Sequence, residues 1–236
     1  MKLRIKFSKQ GPVKFVGHLD IMRYFQKAMR RADIDIKYSE GFSPHQIMSF
    51  ASPLGVGLTS NGEYMDIEVN PAEDWKTVMS RLNDAMAEGI QVTECHILDE
   101  RAKNAMSLVA AADYTLTFRE GKQPEDLEAF LNGLSEFMEQ DHILITKKTK
   151  KGEREVDLKA FIYELSVRGE TIFMKVSAGS ADNLKPELVM EAYYQWLGQT
   201  CPEFALQIQR EEVYGNTADE EQQVWVPLGL IGESLE

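Results

Sequence analysis

The sequence predicts an α+β protein made of two tandem ferredoxin-like domains, each with the order β-α-β-β-α-β. Three observations carry that expectation. Apolar spacing switches between a period of two and a period of three to four residues. The switches occur in a similar order in both halves of the chain, without convincing identity between the halves. Turn residues and prolines fall at the changes of period, as at Gly41-Phe42-Ser43-Pro44, Pro71 and Pro186.

In the first half, "KLRIKF" puts Leu3, Ile5 and Phe7 on one face of a strand. From Leu19 the apolar residues recur at Met22, Phe25 or Gln26, Met29 and Ala32, which predicts a helix. After "IDIKYS" and the Gly41–Pro44 turn, a short apolar run "IMSFA" and the loop "SPLGVGLTSNG" lead to the strand "EYMDIEV". Pro71 is expected to open a second helix that buries Trp75, Val78, Met79, Leu82 and Met86 and stops at Gly89. "IQVTECHIL" then closes a domain spanning 1–98, and 99–110 reads as a linker.

The second domain is expected over 111–215. It starts with the strand "DYTLTF" and a helix after Pro124 that buries Leu127, Phe130, Leu131, Leu134 and Phe137. "HILITKK", "TIFMKVS" and "FALQIQREEVYG" supply strands, and the helix after Pro186 buries Leu188, Val189, Ala192, Tyr193 and Trp196. "VDLKAFIYELSVRG" suits a short helix or a strand extension equally. The tail, 216–236, carries Val224, Trp225, Val226, Leu228, Leu230 and Ile231. That apolar cluster suits docking on another chain or folding back on the protein's own core.

Composition narrows the function classes. With 236 residues and 43% hydrophobic content, the chain can bury one large core or two smaller ones. Cys95 and Cys201 are far apart and form no CxxC pair, so spacing supports neither a disulfide framework nor a metal cage. No run approaches the ~18 apolar residues of a membrane span. The N-terminus reads as a strand and not as a signal peptide, so a cytoplasmic location is expected. Net charge is -12, yet residues 1–50 hold ten Lys and Arg against four Asp and Glu; the rest holds sixteen against thirty-four. Such a distribution argues against indiscriminate coating of nucleic acid and permits a localised site for an anion.

Candidate site residues lie in that basic segment. Arg23, Lys27, Arg30 and Arg31 follow helical spacing and form an exposed stripe able to pair with phosphates; a merely solvated helix face is the plainer alternative. His18 begins the helix after Gly17, with Asp20 in the first turn. His45 follows the Gly41–Pro44 turn, with Ser43 beside it. If the two histidines met, they could act as acid and base on a phosphodiester. His18, Asp20 and His45 also match the composition of a two-histidine, one-carboxylate iron triad, but residues i and i+2 of a helix do not face one way. No metal or cofactor is therefore expected. Gly55 and Gly57 lack the third glycine and the context of a dinucleotide fingerprint.

The segments "GHLD", "YSEGFSPH" and "PLGVGLTSNGEYMDIE", with "EREVDLKAFI" and "KPELVMEA" further on, resemble the radical SAM-linked protein family. This is a bacterial domain of unknown function that stands alone or is fused behind a radical SAM enzyme. The resemblance implies a radical SAM protein as partner, and the family's genomic neighbourhood implies an RNA or ribosomal context. The chain itself lacks the CxxxCxxC motif that holds a radical SAM cluster. The expected function is thus an accessory or substrate-recognition module, not an enzyme on its own, with Arg23, Lys27, Arg30, Arg31 and Ser43 contacting RNA or another anion. Two alternatives stand beside it: a metal-independent RNA-processing enzyme using His18 and His45, and a structural adaptor that binds no nucleic acid.

Overall fold

Alternation in the first strand decides how the first unit is layered. In the computed structural model, which describes residues 1–70, 74–149, 152–180, 182–217 and 223–233, Lys2–Lys9 forms β1. Leu3, Ile5 and Phe7 turn to one face and are buried, while Arg4 and Lys6 turn to the other. Helix α1, His18–Arg31, lies on the apolar face. It is followed by β2 at Met48–Phe50, β3 at Thr59–Glu68, helix α2 at Trp75–Asp84 and β4 at Ile90–Leu98. β1 pairs antiparallel with β3 on one side and with β4 on the other, and β2 pairs antiparallel with β3. Phe7 packs against Phe25 with ring centroids 4.7 Å apart, and Phe50 closes the trio at 6.0 and 5.7 Å. Each aromatic contact adds about 0.5–1.5 kcal/mol beyond the area it buries.

Two local readings of the sequence change here. The expected opening of α2 at Pro71 lies outside the described residues; the helix runs from the Asp74 N-cap and stops at Asp84, before Gly89. Gly89 instead serves the strand ends. Its φ of +90° and its 2.7 Å bond from the Gln10 N–H would set a Cβ 2.5 Å from the Gln10 carbonyl oxygen, so no larger residue fits.

A short helix, α3 at Ala105–Leu108, precedes the second unit. That unit comprises β5 (Val109–Phe118), α4 (Leu127–Glu139), β6 (Leu144–Thr149), β7 (Gly152–Asp157), β8 (Ile162–Arg168), β9 (Thr171–Ser177) and α5 (Pro186–Trp196). β9 pairs antiparallel with β5 and β8, whereas β6 and β7 form a separate hairpin. With that hairpin set aside as an insertion after α4, the elements run β5-α4-β8-β9-α5 and then the strand Leu206–Asn216, which keeps the expected β-α-β-β-α-β order. The stretch that suited helix or strand resolves into the end of β7, a single 3-10 turn at Lys159–Phe161 and β8. α4 and α5 meet through Phe130, Phe137, Tyr193 and Trp196. Gly133 allows that approach, since a Cβ there would lie 2.5 Å from the Tyr193 hydroxyl.

At Arg210 the chain returns to its first unit. The two compact units are Met1–Ala110 with Arg210–Glu236, and Ala111–Gln209, so the division is discontinuous and not the linear one expected. Strand β10, Leu206–Asn216, carries β11, Trp225–Pro227, on its end. Leu228 is fully buried, and Gly229 packs so closely on His96 that a Cβ would lie 2.9 Å from its Nε2. Of the two readings of the tail, its described part takes the second and folds back.

Arg4 is what holds the tail. Its side chain is fully buried, and each of its five N–H groups has an acceptor. Two go to the Asp66 carboxylate at 2.7 and 2.9 Å, and three to the carbonyls of Leu228, Ile231 and Lys103 at 2.9, 2.9 and 3.0 Å. Asp66 also accepts from the Ala105 N–H at 2.8 Å. Asp66→Ala is expected to destabilise the first unit by about 3–5 kcal/mol, because it leaves a buried guanidinium without its counter-charge. Urea unfolding followed by a first-unit probe such as Trp75 measures the loss; a change under about 1 kcal/mol would contradict this assignment.

Candidate functional site

The surface that presents cations is the outer side of α1. Its buried arc is Ile21, Phe25, Ala28 and Met29. That arc differs from the expected one, because Leu19 is 66% exposed and lies four residues before Arg23 on the solvent side. Leu19, Arg23, Lys27 and Arg30 thus continue along one outer stripe about 16 Å long at the usual helical rise. Arg23 has an exposed ion pair with Asp20 at 3.2 Å, an arrangement that contributes little. Lys27 and Arg30 are exposed, with no ion pair among the described residues. Arg31 is held differently. It donates to the Ala85 carbonyl at 3.0 Å and lies over the Tyr24 ring at 5.3 Å, so it belongs to the packing of α1 on α2.

The two histidines have different surroundings and no common partner among the described residues. His18 sits at the first turn of α1, half-buried, with its ring edge-on to Phe50 at 5.5 Å. Burial pushes its pKa below the ordinary value; the nearby Lys9 ammonium adds to that and Glu63 opposes it. His45 is exposed and belongs to a turn closed by Ser39. The Ser39 hydroxyl accepts from the His45 N–H at 3.1 Å and lies 2.9 Å from Nδ1, while the Ser43 carbonyl lies 3.4 Å away. Both His45 and Ser43 therefore shape this turn, whose tip is the fully exposed Phe42. Its base is pinned to α1, where Gln46 donates to the Gln26 carbonyl at 3.2 Å.

Beneath the head of α1 lies a charged group that the sequence reading missed. Lys9, Glu63 and Arg210 are all buried. Arg210 Nε donates to Glu63 at 2.8 Å and Nη2 donates to the Ser52 carbonyl at 3.0 Å. Lys9 Nζ donates to the Val16 carbonyl at 2.8 Å and reaches that of Lys14 at 3.4 Å. Burial lowers the Lys9 pKa, with Glu63 opposing and Arg210 adding. The Lys14 carbonyl also accepts from the Gly57 N–H at 2.8 Å, so one ammonium fixes the Gly11–Phe15 turn and the loop carrying Val56 against it. Only the alternation of Lys9 with Phe7 hinted at this, and the partner at Arg210 is too distant in sequence to have been inferred.

A second network sits on the opposite face of the sheet. Lys6 bridges Glu94 at 3.0 Å and Glu212 at 2.8 Å, and His96 lies 3.0 Å from both Glu94 and Glu233. These pairs join β1, β4, β10 and the tail. Among the described residues no cluster of three or more His, Cys, Asp or Glu suits a metal ion, and no helix is long and apolar enough to cross a membrane.

Comparison with known proteins adds the following. The family described as "Uncharacterized protein conserved in bacteria (DUF2344)" matches residues 2–186. No curated protein matches the chain. Among solved structures, one chain of "Crystal Structure of a Cbf5-Nop10-Gar1 Complex" is similar with a TM-score of 0.45 and 12% identity, over 89% of this chain and 48% of that one. The chain thus spans about half the length of that neighbour.

The His18 environment has a measurable consequence. Folding holds the imidazole below its ordinary value, so the unfolded chain binds the proton first. The associated stability is complete above the ordinary value of about 6.5 and is lost as pH falls through the folded value. Wild type is therefore expected to lose more stability than His18→Gln between pH 7 and 5 in paired urea titrations. Parallel profiles would show the ring to be solvated.

Proposed function

The chain belongs to a family of uncharacterized proteins conserved in bacteria, and we propose that this member is an accessory module that binds RNA through the outer stripe of α1. The observation that supports this reading is the pairing pattern of the cations. In a protein of net charge -12, Arg4, Lys6 and Lys37 are matched to carboxylates and Lys9 to backbone carbonyls. Lys27 and Arg30 face solvent together with Arg23, whose single pair is exposed. A polyanion fits that stripe better than a single ion does, because the side chains extend along the helix and do not converge on one point. Neutralising phosphates there releases counterions, which supplies affinity without a pocket.

The same reading assigns chemistry to a partner. The sequence resemblance to radical SAM-linked proteins points to a radical SAM enzyme acting in trans or by fusion, with this chain presenting the substrate. The separate placement of His18 and His45, each with a structural role, favours recognition over cleavage. The ferredoxin-like reading is supported in the first unit by strands that run β4-β1-β3 with β2 beyond β3, and in the second by β9 lying between β5 and β8, with β6 and β7 as an added hairpin.

Salt-dependent RNA binding tests the reading. Combined Arg23→Glu, Lys27→Glu and Arg30→Glu substitutions are expected to weaken binding of a mixed-sequence RNA by at least tenfold at low salt. They should also reduce the slope of log K against log salt by about two, at ~0.7 per lost contact. Fluorescence anisotropy measures both quantities, with circular dichroism confirming the fold. Equal affinity and slope in the triple variant would overturn the proposal, as would absence of binding by the unmodified chain.

A further inference from the structure

We propose that the RNA bound at α1 is single-stranded, and that an unpaired base rests on an apolar platform formed by Phe15, Leu19 and Val56 at the head of the stripe. This inference rests on the reading of α1 as the RNA-binding stripe and narrows its substrate class. Phe15, Leu19 and Val56 are 64, 66 and 63% exposed, a large solvent-facing area for three apolar side chains within one unit. Backbone contacts bring together the segments that carry them. The Lys14 carbonyl, which accepts from the Gly57 N–H, draws the loop of Val56 onto the Gly11–Phe15 turn. A Cβ on Gly17 would stand 4.0 Å from Val56 Cγ2, which places Val56 beside the start of α1. Leu19 follows two residues later on the outer side.

The platform is built and not a loose surface. Buried Lys9 binds the carbonyls of Val16 and Lys14 from below, which sets the turn that turns Phe15 outward. The Lys14 ammonium lies over the Phe15 ring at 5.3 Å, so a cation accompanies the aromatic face. Arg23, Lys27 and Arg30 continue from Leu19 down the helix, and Phe42 stands fully exposed on the turn pinned to Gln26. Asp20 is the one carboxylate in the first turn and is paired with Arg23.

Charge complementarity selects the occupant. A cationic track that continues from exposed aromatic and aliphatic side chains matches a phosphate backbone with accessible base faces. Duplex RNA hides those faces and is read by shape across its minor groove. An acidic peptide without aromatic residues would satisfy the cations but would have no planar group for Phe15.

The test compares a 12-nucleotide oligouridine, a 12-nucleotide oligoadenine and a 12-base-pair duplex by anisotropy, using the full chain and the variants Phe15→Ala, Val56→Ser and Phe42→Ala. The platform predicts that the single strands bind more tightly than the duplex. Phe15→Ala should weaken single-strand binding roughly tenfold while leaving the salt slope and duplex binding unchanged. Val56→Ser should act in the same direction by a smaller factor. A preference for duplex, or single-strand affinity unaffected by both Phe15→Ala and Val56→Ser, would overturn the platform while leaving the stripe intact. Loss of binding in the α1 charge-reversal variant alone would do likewise. An unmodified chain that binds none of the three probes would overturn both. An acidic peptide of equal charge that competes with oligouridine at equal affinity would assign the surface to a protein partner instead.

Discussion

The buried Arg4 guanidinium fixes the frame on which the first unit depends. A charge removed from water is tolerated when every donor is matched and a counter-charge is adjacent. Arg4 meets both conditions by gathering β3, the approach to α3 and the returning C-terminal segment around one side chain of β1. Its neighbours along the strand, Leu3 and Ile5, point the other way into the core beneath α1 and α2. The two faces of β1 therefore hold different things. One carries the apolar layer that seats α1, and the other carries ion pairs that lock the discontinuous ends of the chain.

That division explains how an acidic protein presents a basic surface. Part of the cation excess of the first fifty residues is matched within the fold, by Asp66 for Arg4, by Glu94 and Glu212 for Lys6 and by Glu68 for Lys37. Arg23, Lys27 and Arg30 are carried on α1 and face solvent. Because α1 is seated by Ile21, Phe25, Ala28 and Met29, its stripe has a fixed direction, and the turn fastened by Lys9 sets what stands at its head.

The sequence made the α+β class, the first-unit element order and the alternation of β1 legible, since these depend on local period. Arg23, Lys27 and Arg30 were legible as a stripe for the same reason. Arg31 was not separable from them by spacing, because its role depends on the Ala85 carbonyl and the Tyr24 ring. Leu19 looked like core because it is apolar and near the correct period; only the orientation of α1 on the sheet shows that the buried arc starts at Ile21. The pairings Arg4–Leu228 and Glu63–Arg210 join residues 224 and 147 positions apart, beyond the reach of any local pattern. His18 and His45 suggested a shared site by residue type, whereas Phe50 and Ser39 give each its own structural place.

Photocrosslinking tests the central claim most directly. A uniformly 4-thiouridine-substituted single strand is irradiated with the unmodified chain, and the modified peptides are mapped by mass spectrometry. The account predicts adducts within residues 14–31 and at the turn bearing Phe42, concentrated at Phe15. Adducts confined to residues 111–209, or distributed without preference across the chain, would contradict it.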